Sequence, residues 1–201
     1  MTASLAKFLP LNIHQDIDVS RLFYLQDDSR ITSTISAFDI SHPPHAPWPP
    51  AEMPRVPSSQ GASIAISRKS MLQRSFTAIE GHELVATASN SVLSLGHWCI
   101  TFPADSAHCS HKLNLRPVRL NSRVDYFVQD STPYFLGVFN NGETTALFKA
   151  VDLIAVKVAE FKTKTTRRID GVLAIDTTHV DYLVALMACV CCLKRVESWR
   201  M

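Results

Sequence analysis

Glycine is scarce in this chain, with 6 in 201 residues, and loops that cradle a phosphate or a dinucleotide on bare backbone need several at close spacing. Neither a phosphate-binding glycine loop nor a dinucleotide fingerprint occurs, and there is no nucleophile elbow and no helical zinc-protease pair. No catalytic residue is therefore assigned, no cofactor is implied, and the chain is expected not to be an enzyme. An excess of one charge is lacking too. The 20 Lys and Arg are nearly balanced by 18 Asp and Glu, so no global field points to nucleic acid. Charged residues make up 19% against 46% hydrophobic, which excludes a disordered chain, a coiled coil and an acidic tail.

Long hydrophobic runs are missing as well. The longest, Tyr182 to Leu193, holds 12 residues, whereas a membrane-crossing helix needs about 20. Residues Met1 to Leu11 contain no continuous apolar segment followed by a small-residue cleavage site, and no Asn stands two positions before Ser or Thr. Neither a signal peptide nor an N-glycosylation acceptor is expected. The five cysteines, Cys99, Cys109, Cys189, Cys191 and Cys192, are odd in number, and three crowd into one apolar run. That is not the layout of a secreted disulfide framework, so a reducing, cytoplasmic setting is expected.

What the chain does hold is a long succession of short β-type runs. At this length about 70% of the unfolded surface can be buried, enough for one substantial core, and a single domain over 20–201 after an N-terminal extension over 1–19 is expected. Arg21 to Asp39 alternates apolar and polar residues around Asp27, Asp28 and Ser29, a hairpin pattern. Further runs follow at Ala62 to Ser67, Arg74 to Ile79, Glu83 to Ser89, Trp98 to Phe102, Lys112 to Val118, Val124 to Gln129 and Pro133 to Phe139. Asn140, Asn141 and Gly142 then form a turn into Thr144 to Ala150, and Ile154 to Phe161 precedes a hairpin expected to close at Asp170 and Gly171 before Val172 to Asp176. About a dozen strands result. Interrupting them, seven of the eleven prolines fall between Pro43 and Pro57. Proline supplies no ladder donor, so a loop insertion over about 41–60 is expected.

The last segment behaves differently. From Val180 to Leu193 there is no polar alternation and no turn residue, which favours a helix. Thr178 and Asp181 stand at capping-box spacing, and Lys194 and Arg195 suit the negative helix end. A helix apolar on every side must be enclosed. A dozen strands before one such helix imply a mainly β fold, a closed barrel of about twelve strands around a hydrophobic C-terminal α-helix, since closure also removes exposed sheet edges. The alternative is a two-sheet sandwich with the helix covering one open side.

This order of features resembles the tubby C-terminal-like superfamily, and within it the LURP-one-related proteins. The resemblance runs from about Ser20 to the C-terminus. It rests on the strand series, on Tyr126-Phe127-Val128-Gln129-Asp130-Ser131-Thr132-Pro133-Tyr134-Phe135, and on Gly171-Val172-Leu173-Ala174-Ile175-Asp176 leading into the apolar helix. It implies a twelve-stranded barrel around a central helix, used for phosphoinositide or protein binding in tubby-like members. The proline-rich insertion departs from a minimal barrel, and no counterpart of a scramblase calcium segment is present, so lipid scrambling is not carried over.

Three groups of residues invite a functional reading. Lys157, Lys162, Lys164, Arg167 and Arg168 are opposed by Glu160 alone across twelve residues. Of these, Lys162, Lys164, Arg167 and Arg168 are the candidate phosphate-binding residues, for an anionic phospholipid, a phosphoinositide or a membrane surface. A solvated strand that keeps the sheet soluble is the competing reading. Second, the proline spacings Pro44 to Pro47, Pro47 to Pro50 and Pro54 to Pro57 suit a protein with a polyproline-binding groove, which makes an interaction scaffold the alternative function. Third, His97, Cys99, His108, Cys109 and His111 are the densest set of metal-ligand types, but their spacing matches no standard zinc module and no metal is assigned. Glu80, His82 and Glu83 are expected to be solvated turn residues, and Cys189, Cys191 and Cys192 to be core rather than acylation sites.

Overall fold

Side chains that alternate between apolar and polar bury one face and wet the other, and a long series of such strands escapes the problem of free edges by closing on itself. The computed structural model of the chain describes residues 12–14, 16–27, 34–41, 48–49, 61–68, 75–90, 96–109, 111–119, 122–152, 154–164 and 169–197. Its strands are β1 (Asn12–His14), β2 (Arg21–Asp27), β3 (Thr34–Asp39), β4 (Ile64–Ser67), β5 (Ser75–Glu80), β6 (Glu83–Asn90) and β7 (Trp98–Thr101). They continue with β8 (Leu113–Pro117), β9 (Val124–Gln129), β10 (Thr132–Phe139), β11 (Thr144–Val151), β12 (Ile154–Thr163) and β13 (Asp170–Ile175), followed by the helix α1 (Tyr182–Glu197).

From β2 to β13 each strand is an antiparallel neighbour of the next, and β13 lies between β12 and β2, so the twelve strands close into a barrel. The sandwich alternative is not what forms. β12 is long enough to serve two partners on one side: its second half, Ala159 to Thr163, pairs with β13, while its first half, Ile154 to Val156, carries β1 in parallel. Part of the segment expected as an N-terminal extension thus adds a thirteenth strand.

The helix is enclosed. Every residue from Leu183 to Cys192 is at most 2% exposed, and α1 packs against β6, β7, β10, β11 and β13. Ala86 and Ala88 on β6 and Ala78 on β5 leave room for it, and Phe23, Phe127 and Phe161 fill the remaining interior. Burial of each Leu or Val side chain contributes about 1.5–3 kcal/mol, so this one helix supplies much of the core. Among the described residues no helix is long and apolar enough to cross a membrane.

Two local expectations are corrected. Asp170 and Gly171 are not the turn: both belong to the β13 ladder, with Gly171 opposite Thr163. Its missing side chain serves close approach, since a Cβ there would sit 2.1 Å from the Lys162 carbonyl oxygen. Thr178 and Asp181 do not form a reciprocal box either. Asp181 is itself the cap, its Oδ1 accepting from the Leu183 and Val184 amides at 2.8 and 3.2 Å. The Thr178 amide instead donates to Asp176 in the preceding turn.

Because consecutive strands run up and down, their connections alternate between two rims. α1 enters at one, where Tyr182 meets Glu80 and Asp181 meets His108. It ends at the other, where Lys194 reaches Asp27 and Arg195 reaches Asp125.

Candidate functional site

The basic residues that stood out in the sequence belong to β12, and a bulge decides where they point. Opposite Leu147 on β11, β12 places Val158 and Ala159 in succession, and both are buried in the core. The alternation therefore changes phase, and Lys157 and Glu160, three apart, both face outward. Their ammonium and carboxylate are 3.0 Å apart, so Lys157 is neutralised within the strand. The same Glu160 Oε2 accepts from the Trp48 indole Nε1 at 2.7 Å. Lys162 follows on that face with its Nζ 5.7 Å from the centre of the Trp48 ring, and Lys164 is exposed just beyond the strand. Arg167 and Arg168 lie outside the described residues.

The strand beside β12 adds a second carboxylate, Asp170, which the charge pattern of the sequence left out. It accepts from the Tyr24 hydroxyl. Burial, that hydrogen bond and the carboxylate charge together push the Tyr24 phenol up to about 12. Trp48 and Pro49 are the described residues of the proline-rich segment; the prolines of its three spacings lie outside the described residues. Nothing in the sequence singled out Trp48 as a residue that meets the barrel wall.

The His and Cys residues between 97 and 111 do not converge. His97 Nε2 accepts from Arg116 Nε at 3.4 Å, Cys109 donates to the His111 carbonyl at 3.4 Å, and His108 Nδ1 lies 3.1 Å from Asp181. Among the described residues no three His, Cys, Asp or Glu side chains are grouped as metal ligands would be. The helical cysteines Cys189, Cys191 and Cys192 are enclosed in the core, and burial pushes their thiols well above the ordinary range.

At the rim where α1 begins, a polar cluster forms that sequence reasoning missed apart from Glu80, which was expected to be solvated. The Tyr182 hydroxyl donates to Glu80, with its carboxylate oxygens at 2.9 and 3.0 Å, and the Arg21 guanidinium lies 3.7 Å from the Tyr182 ring centre. Arg21 also pairs with Asp39 at 2.9 Å. Burial opposes ionisation of Asp39, but hydrogen bonds from Ser41 and Arg21 outweigh it and hold the carboxyl below its usual value. Burial and Glu80 push the Tyr182 phenol up to about 12. These groups satisfy one another. Arg21 and Tyr182 are far apart in the chain, and only closure of the barrel juxtaposes them.

At the opposite rim Arg195 is 3% exposed and donates from Nε and Nη2 to Asp125 Oδ2 at 3.1 and 2.8 Å and from Nη1 to the Ser122 carbonyl at 2.9 Å. Gly96 makes room for it, since a Cβ there would stand 2.8 Å from Arg195 Cδ. No protein-family model, no curated protein and no solved structure matches the chain. A closed twelve-stranded antiparallel barrel with one C-terminal helix is compatible with a tubby-like fold.

Proposed function

We propose that this chain is a non-enzymatic binding module of the tubby C-terminal-like, LURP-one-related kind, whose basic strand end meets the phosphate groups of anionic phospholipids at a membrane surface. One observation supports the reading above all. The two carboxylates flanking Lys162 and Lys164 are already engaged, Glu160 by Lys157 and Trp48 and Asp170 by Tyr24. Glu160 is cancelled by Lys157 and Asp170 is turned to Tyr24, so Lys162 and Lys164 outnumber the one carboxylate charge left beside them, next to the connection whose sequence carries Arg167 and Arg168. A lysine ammonium is a compact donor suited to phosphate oxygen.

Sedimentation with neutral and phosphoinositide-containing vesicles tests this. Binding should be confined to the anionic vesicles and weaken from low to physiological salt, because the Debye length shrinks to about 8 Å at 0.15 M. The double variant Lys162→Glu, Lys164→Glu should lose it. Equal binding by that variant refutes the assignment of these residues, and equal binding to neutral vesicles refutes the lipid-charge reading.

A further inference from the structure

The basic end of β12 is not isolated: the up-and-down topology brings two more basic connections to the same rim. Arg68 follows β4 and is half-buried, and Arg119 and Arg123, both exposed, lie in the connection from β8 to β9. With Lys164 after β12, basic groups stand after β4, β8 and β12 in the ring of twelve from β2 to β13, every fourth strand, so they divide the rim into thirds. Adjacent strands are about 4.8 Å apart, which puts roughly 20 Å of arc between one basic connection and the next.

The carboxylates of this rim are largely spoken for. Asp27 is paired with Lys194 at 2.9 Å and Asp125 with Arg195 at 2.8 Å, Asp170 is half-buried against Tyr24 and keeps its charge, and Glu143, between β10 and β11, is the exposed carboxylate among the described residues. The opposite rim has the reverse character, with Glu83, Asp105, Asp130 and Asp152 exposed against Lys112 as the exposed cation among the described residues. Among the described residues charge is thus polarised along the barrel axis, although the net charge of the chain is +2. Such a distribution orients a body in a field even when it attracts it only weakly.

We infer that the barrel docks end-on against an anionic bilayer, the rim around the helix C-terminus facing the lipid and its three basic connections meeting separate headgroups. This rests on the lipid reading above and replaces a side-on strand with a rim as the contact surface. The spacing decides the occupant: one soluble inositol phosphate cannot span a third of the rim, and a linear polyanion such as duplex DNA cannot follow a closed circle of loops, whereas a plane of mobile headgroups meets all three.

The experiment uses the full chain with phosphatidylcholine vesicles with and without phosphatidylserine. The variant Arg119→Gln, Arg123→Gln removes two charges a third of the circumference away from Lys162 and Lys164. It should lower partitioning onto the anionic vesicles about 30-fold, and Glu143→Lys should raise it at least about fivefold. All three residues touched are exposed, and matching thermal melts establish that the variants are folded. If the Arg119, Arg123 variant binds like wild type while the Lys162, Lys164 variant does not, end-on docking is overturned and the strand reading stands. If wild type binds phosphoinositide vesicles but ignores phosphatidylserine vesicles, end-on docking is overturned and the lipid reading stands; if it ignores both, or binds duplex DNA instead, both fall. If soluble inositol hexakisphosphate at stoichiometric concentration displaces the protein, one site carries the binding and the three-point contact is overturned.

Discussion

Replacing Arg195 by methionine keeps most of the aliphatic stem and removes the guanidinium from a position 3% exposed. Three donated hydrogen bonds disappear, and Asp125, itself 1% exposed, is left as a buried carboxylate without its cation. Breaking a buried pair from one side costs about 3–5 kcal/mol, a large share of a typical stability of about 5–15 kcal/mol. With a urea slope of about 2 kcal/mol/M, the midpoint of chemical unfolding should fall by roughly 1.5–2.5 M. The effect should depend on pH in a definite direction. Burial already pushes the Asp125 carboxyl above its ordinary value despite the neighbouring guanidinium. The folded state therefore holds that proton more tightly than the unfolded chain, and the stability it contributes is complete below the unfolded carboxyl pKa and is lost as pH rises through the folded value. Without Arg195 the penalty should be greatest near neutrality and shrink on acidification. The double variant Asp125→Leu, Arg195→Met, which leaves no charge behind, should recover most of the loss. A methionine variant that unfolds within about 1 kcal/mol of wild type at neutral pH would show that the pair does not hold the helix end.

Ala188→Asp places a charge in the middle of an enclosed helix at a position 0% exposed, and circular dichroism should show an unfolded protein, because several kcal/mol of desolvation approach the whole stability; a melt like wild type would mean the helix is not enclosed. Gly171→Ala drives a Cβ into the Lys162 carbonyl where β13 closes the ring; the strands must separate, and thermal denaturation should show a loss of about 2–4 kcal/mol, a change under 0.5 kcal/mol refuting the packing argument. The phenols of Tyr24 and Tyr182 are raised to about 12, so the folded state keeps protons that the unfolded chain loses near 10. Stability from these two groups is complete below pH 10 and is lost as pH rises toward 12, and in ultraviolet difference titration Tyr24→Phe and Tyr182→Phe should each remove one late-ionising phenol; a variant that instead loses a phenol titrating near 10 would refute the assignment for that residue.

Much of the architecture was legible because the signals are local. Alternation in Ser75–Glu80 and Glu83–Asn90, with Gly81 and His82 between, marks a hairpin without knowledge of anything else in the chain. The uniformly apolar stretch ending at Leu193 demands enclosure, and enclosure by a dozen strands leaves few choices of fold. What escaped is what depends on a partner strand. The bulge at Val158 cannot be seen in β12 alone, since it exists only against Leu147, yet it decides that Lys157 and Glu160 neutralise each other. Asp170-Gly171 has the composition of a turn, but a glycine is equally demanded where a neighbouring backbone approaches. Polarisation of the rims was invisible for the same reason: Arg68, Arg119, Arg123 and Lys164 form no cluster in sequence and acquire one only through strand order.

The position of the helix after the last strand has a consequence for how the chain comes into being. The core that all twelve strands line is synthesised after every one of them, and the contact that closes the wall, β13 against β2, joins residues far apart in the sequence. A finished barrel offers no entry for a buried helix, so closure has to wait for it, and the pairing of distant strands is intrinsically slow. A nascent chain halted before Tyr182 would be all wall and no filling, with its apolar faces turned to water, and should need a chaperone until the helix leaves the ribosome.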